Sequence, residues 1–276
     1  MSIAKTALVT GSTDGLGRAV ARSLAGRGYR VWLHGRHEER GRALAEDIAA
    51  QGGEAHFVRA DLGSLAEVRQ LAAALAGQPR LDLLINNAGI GPATPAVTGR
   101  ELSADGLELR FAVNYLSGFL LTRLLLPLLE RSAPARIINV ASGAQYPLDF
   151  DNLMLERAYS GMRAYAQSKL AQILFTFELA EQLRGRGVTV NCLHPATYMD
   201  TAMVRAMGVT PVNSVASGET AVLHLACAET LAPTTGAFFN GLEAATAHPQ
   251  AYDPQARRRL VQASEQLAGW SAAGRV

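Results

Sequence analysis

The sequence predicts a single-domain α/β protein in which a doubly wound, seven-stranded and mostly parallel sheet is flanked by helices. Two observations carry this expectation. Short apolar runs at residues 6–9, 30–33, 55–58, 83–85, 136–140, 188–192 and 237–240 have strand length, and helical patterns at 15–27, 38–51, 65–76, 107–130, 159–184 and 217–228 follow nearly all of them. Strands that are apolar throughout and separated by helices form βαβ units, whose right-handed crossovers cover a parallel sheet on both faces. In addition, no repeat, low-complexity linker or shift in composition divides the chain, so residues 1–276 are expected to form one domain.

Composition narrows the function classes. With 49% hydrophobic and 18% charged residues the chain is ordinary for a globular enzyme. A net charge of +2 without a basic stripe argues against a nucleic-acid partner, and Arg257-Arg258-Arg259 reads as a solvated helix face. Cys192 and Cys227 lack CxxC spacing, and His56, His224 and His248 share no ligand spacing, so neither a disulfide framework nor a metal site is expected. The opening MSIAKTALVT has no basic segment leading into an apolar one. The longest charge-free apolar stretch, residues 111–122, is bounded by arginines and too short to span a bilayer. A cytoplasmic protein without a membrane anchor is expected.

The motifs then appear in chain order. Thr10-Gly11-Ser12-Thr13-Asp14-Gly15-Leu16-Gly17 follows the first strand, where glycines allow a tight turn and let backbone amides approach a pyrophosphate at a helix N-terminus. The second strand ends in His34-Gly35-Arg36. An acid at this position would hold the ribose hydroxyls of NAD. Gly35 instead leaves room for a 2′-phosphate and Arg36 offers a guanidinium to grip it, which points to NADP(H), with Arg18 and His37 adding positive potential. Asn86-Asn87-Ala88-Gly89 ends the fourth strand, Asn114 sits in an apolar helix and Ser142 ends the fifth strand. Tyr165 and Lys169 lie four apart on one helix face, where a lysine cation favours the phenolate of a tyrosine whose ordinary pKa is near ~10.

In order and spacing these motifs resemble the short-chain dehydrogenase/reductase family, whose pattern joins TGxxxGxG, NNAG, a helical Asn, a strand-end Ser and YxxxK. The resemblance runs from about Lys5 to Gly269. It implies a Rossmann-type fold with Asn114, Ser142, Tyr165 and Lys169 as the catalytic set. It also implies a cofactor site of Gly11, Ser12, Thr13, Gly15, Leu16, Gly17, Arg36, Asp61 and Leu62 toward the adenosine and pyrophosphate. Asn87, Ala88, Gly89, Tyr165, Lys169, Pro195 and Thr197 would lie toward the nicotinamide. Tyr165 would exchange a proton with the substrate oxygen, Ser142 would orient that oxygen, Lys169 would hold the ribose, and Asn114 would complete a water-mediated relay. NYLSGFLLT, AYAQSKLAQILFTFELA and VTVNCLHPAT, with Tyr165 standing 23 positions after Ser142, are similar to the retinol-dehydrogenase-like and WW-domain-containing oxidoreductase branch. The chain departs from the family at Pro195-Ala196, where a Pro-Gly is usual, and in the placement of Thr197.

The resemblance implies hydride transfer between a nicotinamide cofactor and an apolar aldehyde, ketone or alcohol, retinoid-like or polyketide-like. A substrate lid is expected at about 198–217, where Met199, Met203 and Met207 recur at helical spacing. Two other readings fit the same cofactor motifs: a non-catalytic NADP(H)-binding sensor or scaffold, and an epimerase or dehydratase. Apolar residues on more than one face of the fourth and fifth helices (Phe119, Leu120, Leu124, Ile173, Phe175 and Phe177) predict a homodimer or homotetramer built on them.

Overall fold

The computed structural model describes residues 4–92 and 99–271. Its strands are β1 (Thr6–Val9), β2 (Arg30–Gly35), β3 (Glu54–Arg59), β4 (Leu83–Asn86), β5 (Ala135–Val140), β6 (Val188–His194), β7 (Phe238–Asn240) and β8 (Glu243–Ala245). The helices are α1 (Gly15–Gly26), α2 (Glu38–Ala50), α3 (Leu65–Ala76), α4 (Ser117–Arg131), α5 (Gly161–Gln182), α6 (Ala202–Ala206), α7 (Val215–Cys227) and α8 (Pro254–Leu267).

The strands form one sheet in the order β3-β2-β1-β4-β5-β6-β7-β8, parallel throughout except for β7 with β8. The expected sheet therefore gains an eighth strand. Asn240 pairs with Glu243 across Gly241-Leu242, and Gly241 has φ +60°, as a two-residue hairpin turn demands. Three residues with one acid and two alanines carry no apolar alternation, so β8 leaves no trace in the hydropathy pattern. The chain order reverses between β1 and β4, and the strand ends there open the crevice in which such sheets bind ligands.

One sheet face buries Val20, Leu24, Leu44, Val222 and Leu225 from α1, α2 and α7; the other buries residues of α3, α4, α5 and α8. Residues 111–122 belong to a longer helix than their charge-free length implies. Phe111–Arg131 is long and apolar enough to cross a membrane, but 78% of its most apolar window is buried inside this fold.

The faces expected to pair with a second copy are already covered. Phe119, Leu120, Ile173, Phe175 and Phe177 are buried within the chain, and Leu124 is partly so. Leu260 and Val261 of α8 join the same core, Ser264 hydrogen-bonds the Tyr115 hydroxyl at 2.7 Å, and the Phe177 ring meets Tyr252. The homo-oligomer expectation thus loses the physical basis given for it, because α8 and its flanks take the place of a partner. The same C-terminal segment anchors the long connection before α5. Leu148 N–H donates to Gln250 Oε1 at 2.7 Å, and His248 N–H donates to Gln145 Oε1 at 2.6 Å.

Candidate functional site

The glycine-rich turn is built by close approach. Gly11 has φ +66°, and a Cβ there would lie 2.8 Å from Ala88 Cα. At Gly17 a Cβ would lie 2.2 Å from the Gly11 carbonyl oxygen and 2.5 Å from Asn87 Nδ2, so no side chain fits. Asp14 caps α1, its carboxylate accepting from Gly15 N–H at 2.7 Å. Asn87 ties the end of β4 to this turn by donating to the Thr10 carbonyl at 2.8 Å. The result is a rigid cradle at a helix N-terminus that opens into a cleft of about 700 Å³.

At the end beside the loop after β2 the cleft is lined by Thr13, Asp14, Gly35, Arg36, His37, Arg40, Asp61 and Leu62. His34 braces this end from beneath. Its Nδ1 accepts from Gly11 N–H at 3.1 Å, which leaves Nε2 to donate to the Ala60 carbonyl at 3.1 Å. Both partners suit the neutral ring, and burial pushes His34 down to about 4. Gly35 is constrained by its neighbour: a Cβ there would lie 2.5 Å from Thr13 Cγ2.

At the other end stand Ser142, Tyr165 and Lys169. Ser142 follows β5, whereas Tyr165 and Lys169 share one face of α5, whose first turn is capped by Ser160 accepting from Arg163 N–H. The Ser142 hydroxyl accepts from Ala144 N–H at 3.1 Å and lies beside Tyr165, whose phenolate it favours. Lys169 Nζ lies 5.9 Å from the Tyr165 ring centroid and donates to the Val140 carbonyl at 2.9 Å and to Gln172 Oε1 at 3.0 Å. Burial dominates both titrations. It raises Tyr165, against which the neighbouring Ser142 hydroxyl acts, and it pushes Lys169 down to about 7. Lys169 is therefore not the fixed cation that its helix spacing suggests, since burial favours its neutral amine.

His194, at the end of β6, also faces the cleft; burial lowers it, and the nearby Lys169 charge adds to the effect. Its Nε2 lies 3.0 Å from Thr197 Oγ1, while Asn213 Nδ2 donates to the Thr197 carbonyl at 2.7 Å. Thr197 is thereby fixed from two sides next to Pro195-Ala196. Beyond it, Tyr198 sits at φ +44°, and α6 carries Met203, which with Ile90, Val113, Met162 and Met207 gives the cleft an apolar wall.

All the expected site residues except two line this cleft. Ser12 is turned away: its hydroxyl accepts from His34 N–H at 2.9 Å, and Ser12 itself is fully buried. Its hydroxyl braces the turn against the end of β2. Asn114 stands behind the wall, in a π-helical turn (Phe111–Leu116) that the helical pattern did not distinguish. Its side chain accepts from Ile90 N–H at 2.7 Å and donates to the Ile90 carbonyl and to Ser168 Oγ, which fixes the segment after Gly89. Arg40, Met162 and Gln172 were missed. The first was legible as a basic residue one helical turn beyond Arg36; the others depend on tertiary packing.

Comparison with known proteins agrees with this geometry. The model of the family described as short chain dehydrogenase matches residues 5–210. Human retinol dehydrogenase 13 is 40% identical over 290 residues, covering 97% of this chain and 86% of that protein. Human dehydrogenase/reductase SDR family member 13 is 39% identical, covering 96% of this chain and 73% of its own length. Among solved structures, the Pseudomonas aeruginosa RhlG/NADP active-site complex superposes with a TM-score of 0.70 at 30% identity, covering 87% of this chain and 95% of that one.

Proposed function

Because the chain belongs to the short-chain dehydrogenase family, we propose that it is an NADP(H)-dependent oxidoreductase interconverting an apolar carbonyl compound and its alcohol, with Tyr165 as acid/base. One observation carries the reading. A single cleft joins the glycine cradle and Arg36 at one end to buried Ser142 and Lys169 and half-buried Tyr165 at the other. The cradle that side chains at Gly11 and Gly17 would fill suits a pyrophosphate, and the absence of an acid at Gly35-Arg36 suits a 2′-phosphate.

A bound nicotinamide dinucleotide would supply or accept the hydride. The chain's own residues manage the proton. In reduction, Tyr165 donates it to the substrate oxygen, and burial keeps the phenol in its protonated form for that task. Ser142, which lines the cleft beside Tyr165, orients the same oxygen. In oxidation Tyr165 must act as phenolate, and a charged Lys169 favours that form. Asn114 positions the 89–91 backbone, and Thr197, held by His194 and Asn213, faces the nicotinamide end.

The apolar wall of Ile90, Val113, Met162, Met203 and Met207 favours a greasy, retinoid-like or polyketide-like substrate, with 198–217 as its lid. Cytoplasmic localisation belongs to the same proposal, supported by the burial of Phe111–Arg131. Any homo-oligomer must use a surface other than the one α8 occupies. The test is Tyr165→Phe: NADPH binding stays near wild type while turnover against a panel of carbonyl compounds falls ~10²–10⁴-fold or more. Wild-type turnover by this variant refutes the mechanism.

A further inference from the structure

The chain contains 26 arginines and lysines, yet only two of them, Lys5 and Lys169, are lysines. Arginine meets almost every need for positive charge, and lysine is kept at one buried point. The two side chains differ in a way that matters there: a guanidinium stays charged throughout the working pH range, whereas a buried ammonium can lose its proton. What surrounds Lys169 therefore decides its state. Val140 offers a backbone carbonyl, and Gln172, only 4% exposed on the next turn of α5, offers its amide oxygen at 3.0 Å. An ammonium can only donate, so the oxygen of the Gln172 amide, and not its nitrogen, must face it.

No carboxylate among the described residues faces Lys169. From α5 it meets Tyr165, from the end of β6 the neutral-leaning His194, and from the turn after β4 the uncharged Gly89. Among the described residues the Gln172 amide is thus the one side-chain acceptor for Nζ. It is also separable from the packing around it. The buried chain Asn139–Thr176 reaches residue 172 through its backbone, Thr176 Oγ1 donating to the Gln172 carbonyl at 2.8 Å, so changing the side chain leaves that link in place.

We propose that Gln172 is a positioning residue for the reaction: its amide oxygen holds the Lys169 head against the end of β5 and sets how much charge stands beside Tyr165. Removing an acceptor that stabilises the charged form favours the neutral amine, and a carboxylate in its place favours the ammonium. The consequence for Tyr165 has the opposite sign, since less charge on Lys169 makes the phenolate harder to form.

The kinetic half of this inference rests on the proposed role of Tyr165; the other half needs no turnover. With only two lysines, the full-length protein labelled with ¹³C-lysine gives two Cε signals, and exposed Lys5 serves as the internal reference. In the wild type the Lys169 midpoint lies near 7. Gln172→Leu lowers it by about one pH unit, Gln172→Glu raises it by about as much, and Gln172→Asn falls between Leu and wild type. In alcohol oxidation the acidic limb of the pH–rate profile moves up for Leu and down for Glu. If Leu fails to fold by circular dichroism, the Glu and Asn variants carry the test alone. A Lys169 midpoint unmoved in these variants overturns the tether. A midpoint that moves while the pH–rate limb stays put overturns its bearing on the reaction. An inactive wild type refutes the enzymatic reading, while the lysine titration still decides the tether.

Discussion

Lys169 and Arg36 both line the cleft and both carry positive charge, but they stand in opposite surroundings. Lys169 is 4% exposed, held by the Val140 carbonyl and Gln172, and pushed down to about 7 by burial. Arg36 lies in the exposed loop after β2 and makes no hydrogen bond or ion pair among the described residues. The difference teaches what each cation is for. Burial makes charge conditional, which suits a group that must influence a proton transfer. Exposure leaves charge permanent and unpaired, which suits gripping a phosphate that arrives with its own charge. The same contrast separates His34 from Arg36 two positions later: one is sealed under the sheet end, the other points into solvent.

The strongest way to break this comparison is to exchange the character of the buried cation while keeping its sign. Lys169→Arg places a wider, permanently charged group where even a Cβ on Gly89 would come within 3.5 Å of Nζ. Turnover should fall by at least about a hundredfold, since the group can no longer tune Tyr165 from its present position. Overpacking should lower stability by about 1–3 kcal/mol. Steady-state rates and thermal unfolding measure the two effects. An arginine variant with near-wild-type turnover means that charge alone suffices, and the contrast with Arg36 collapses.

Changes at the exposed end should act on cofactor choice and leave chemistry alone. Arg36→Ala should weaken NADPH binding by about ten- to a hundredfold and leave NADH nearly unchanged, because charge-assisted bonds to the 2′-phosphate are lost. Gly35→Asp alone is a poor test of reversed preference, since its Cβ would meet Thr13 Cγ2 at 2.5 Å. Combined with Thr13→Gly it should reverse the preference. Dissociation constants from fluorescence titration decide both points, and tighter NADH than NADPH binding in the wild type contradicts the reading of the loop.

How legible each part was follows from the range of the interactions that fix it. The parallel strands and the cleft end of the sheet could be read locally, because fully buried strands are apolar in a row and glycines mark the turns. Tyr165 and Lys169 could be placed on one helix face from their spacing, and the other motifs in order gave that pair its meaning. Three features needed the third dimension. Ser12 belongs to the turn because His34, 22 residues later, takes its hydroxyl. The apolar faces of α4 and α5 suggested a second copy because nothing local reveals that α8 folds back over them. Gln172 looks like any polar residue on an amphipathic helix, and only the approach of Lys169 and β5 gives it a task.

The smallest expected effect concerns Asp14, the one acid in the glycine-rich turn, which on charge alone should repel the cofactor's phosphates. The structure engages that charge elsewhere. One carboxylate oxygen caps α1 through Gly15 N–H at 2.7 Å, and the other lies 3.8 Å from Arg40. Both side chains of the Arg40 pair are 62% exposed, so the pair itself contributes little to stability. Asp14→Asn keeps a capping oxygen and frees Arg40, so NADPH affinity should rise by about twofold at most. Arg40→Ala does the reverse, removing a nearby cation and unmasking Asp14, and should weaken NADPH by about three- to fivefold. The double variant should fall between the two, and its non-additivity measures the Asp14–Arg40 coupling through the phosphate. All three effects should shrink as salt rises from about 0.05 to 0.5 M, whereas the Lys169 variants should respond little, being shielded from ions by burial. A salt-independent Arg40→Ala effect would place Arg40 in a direct, desolvated contact and erase the difference between the two ends of the cleft.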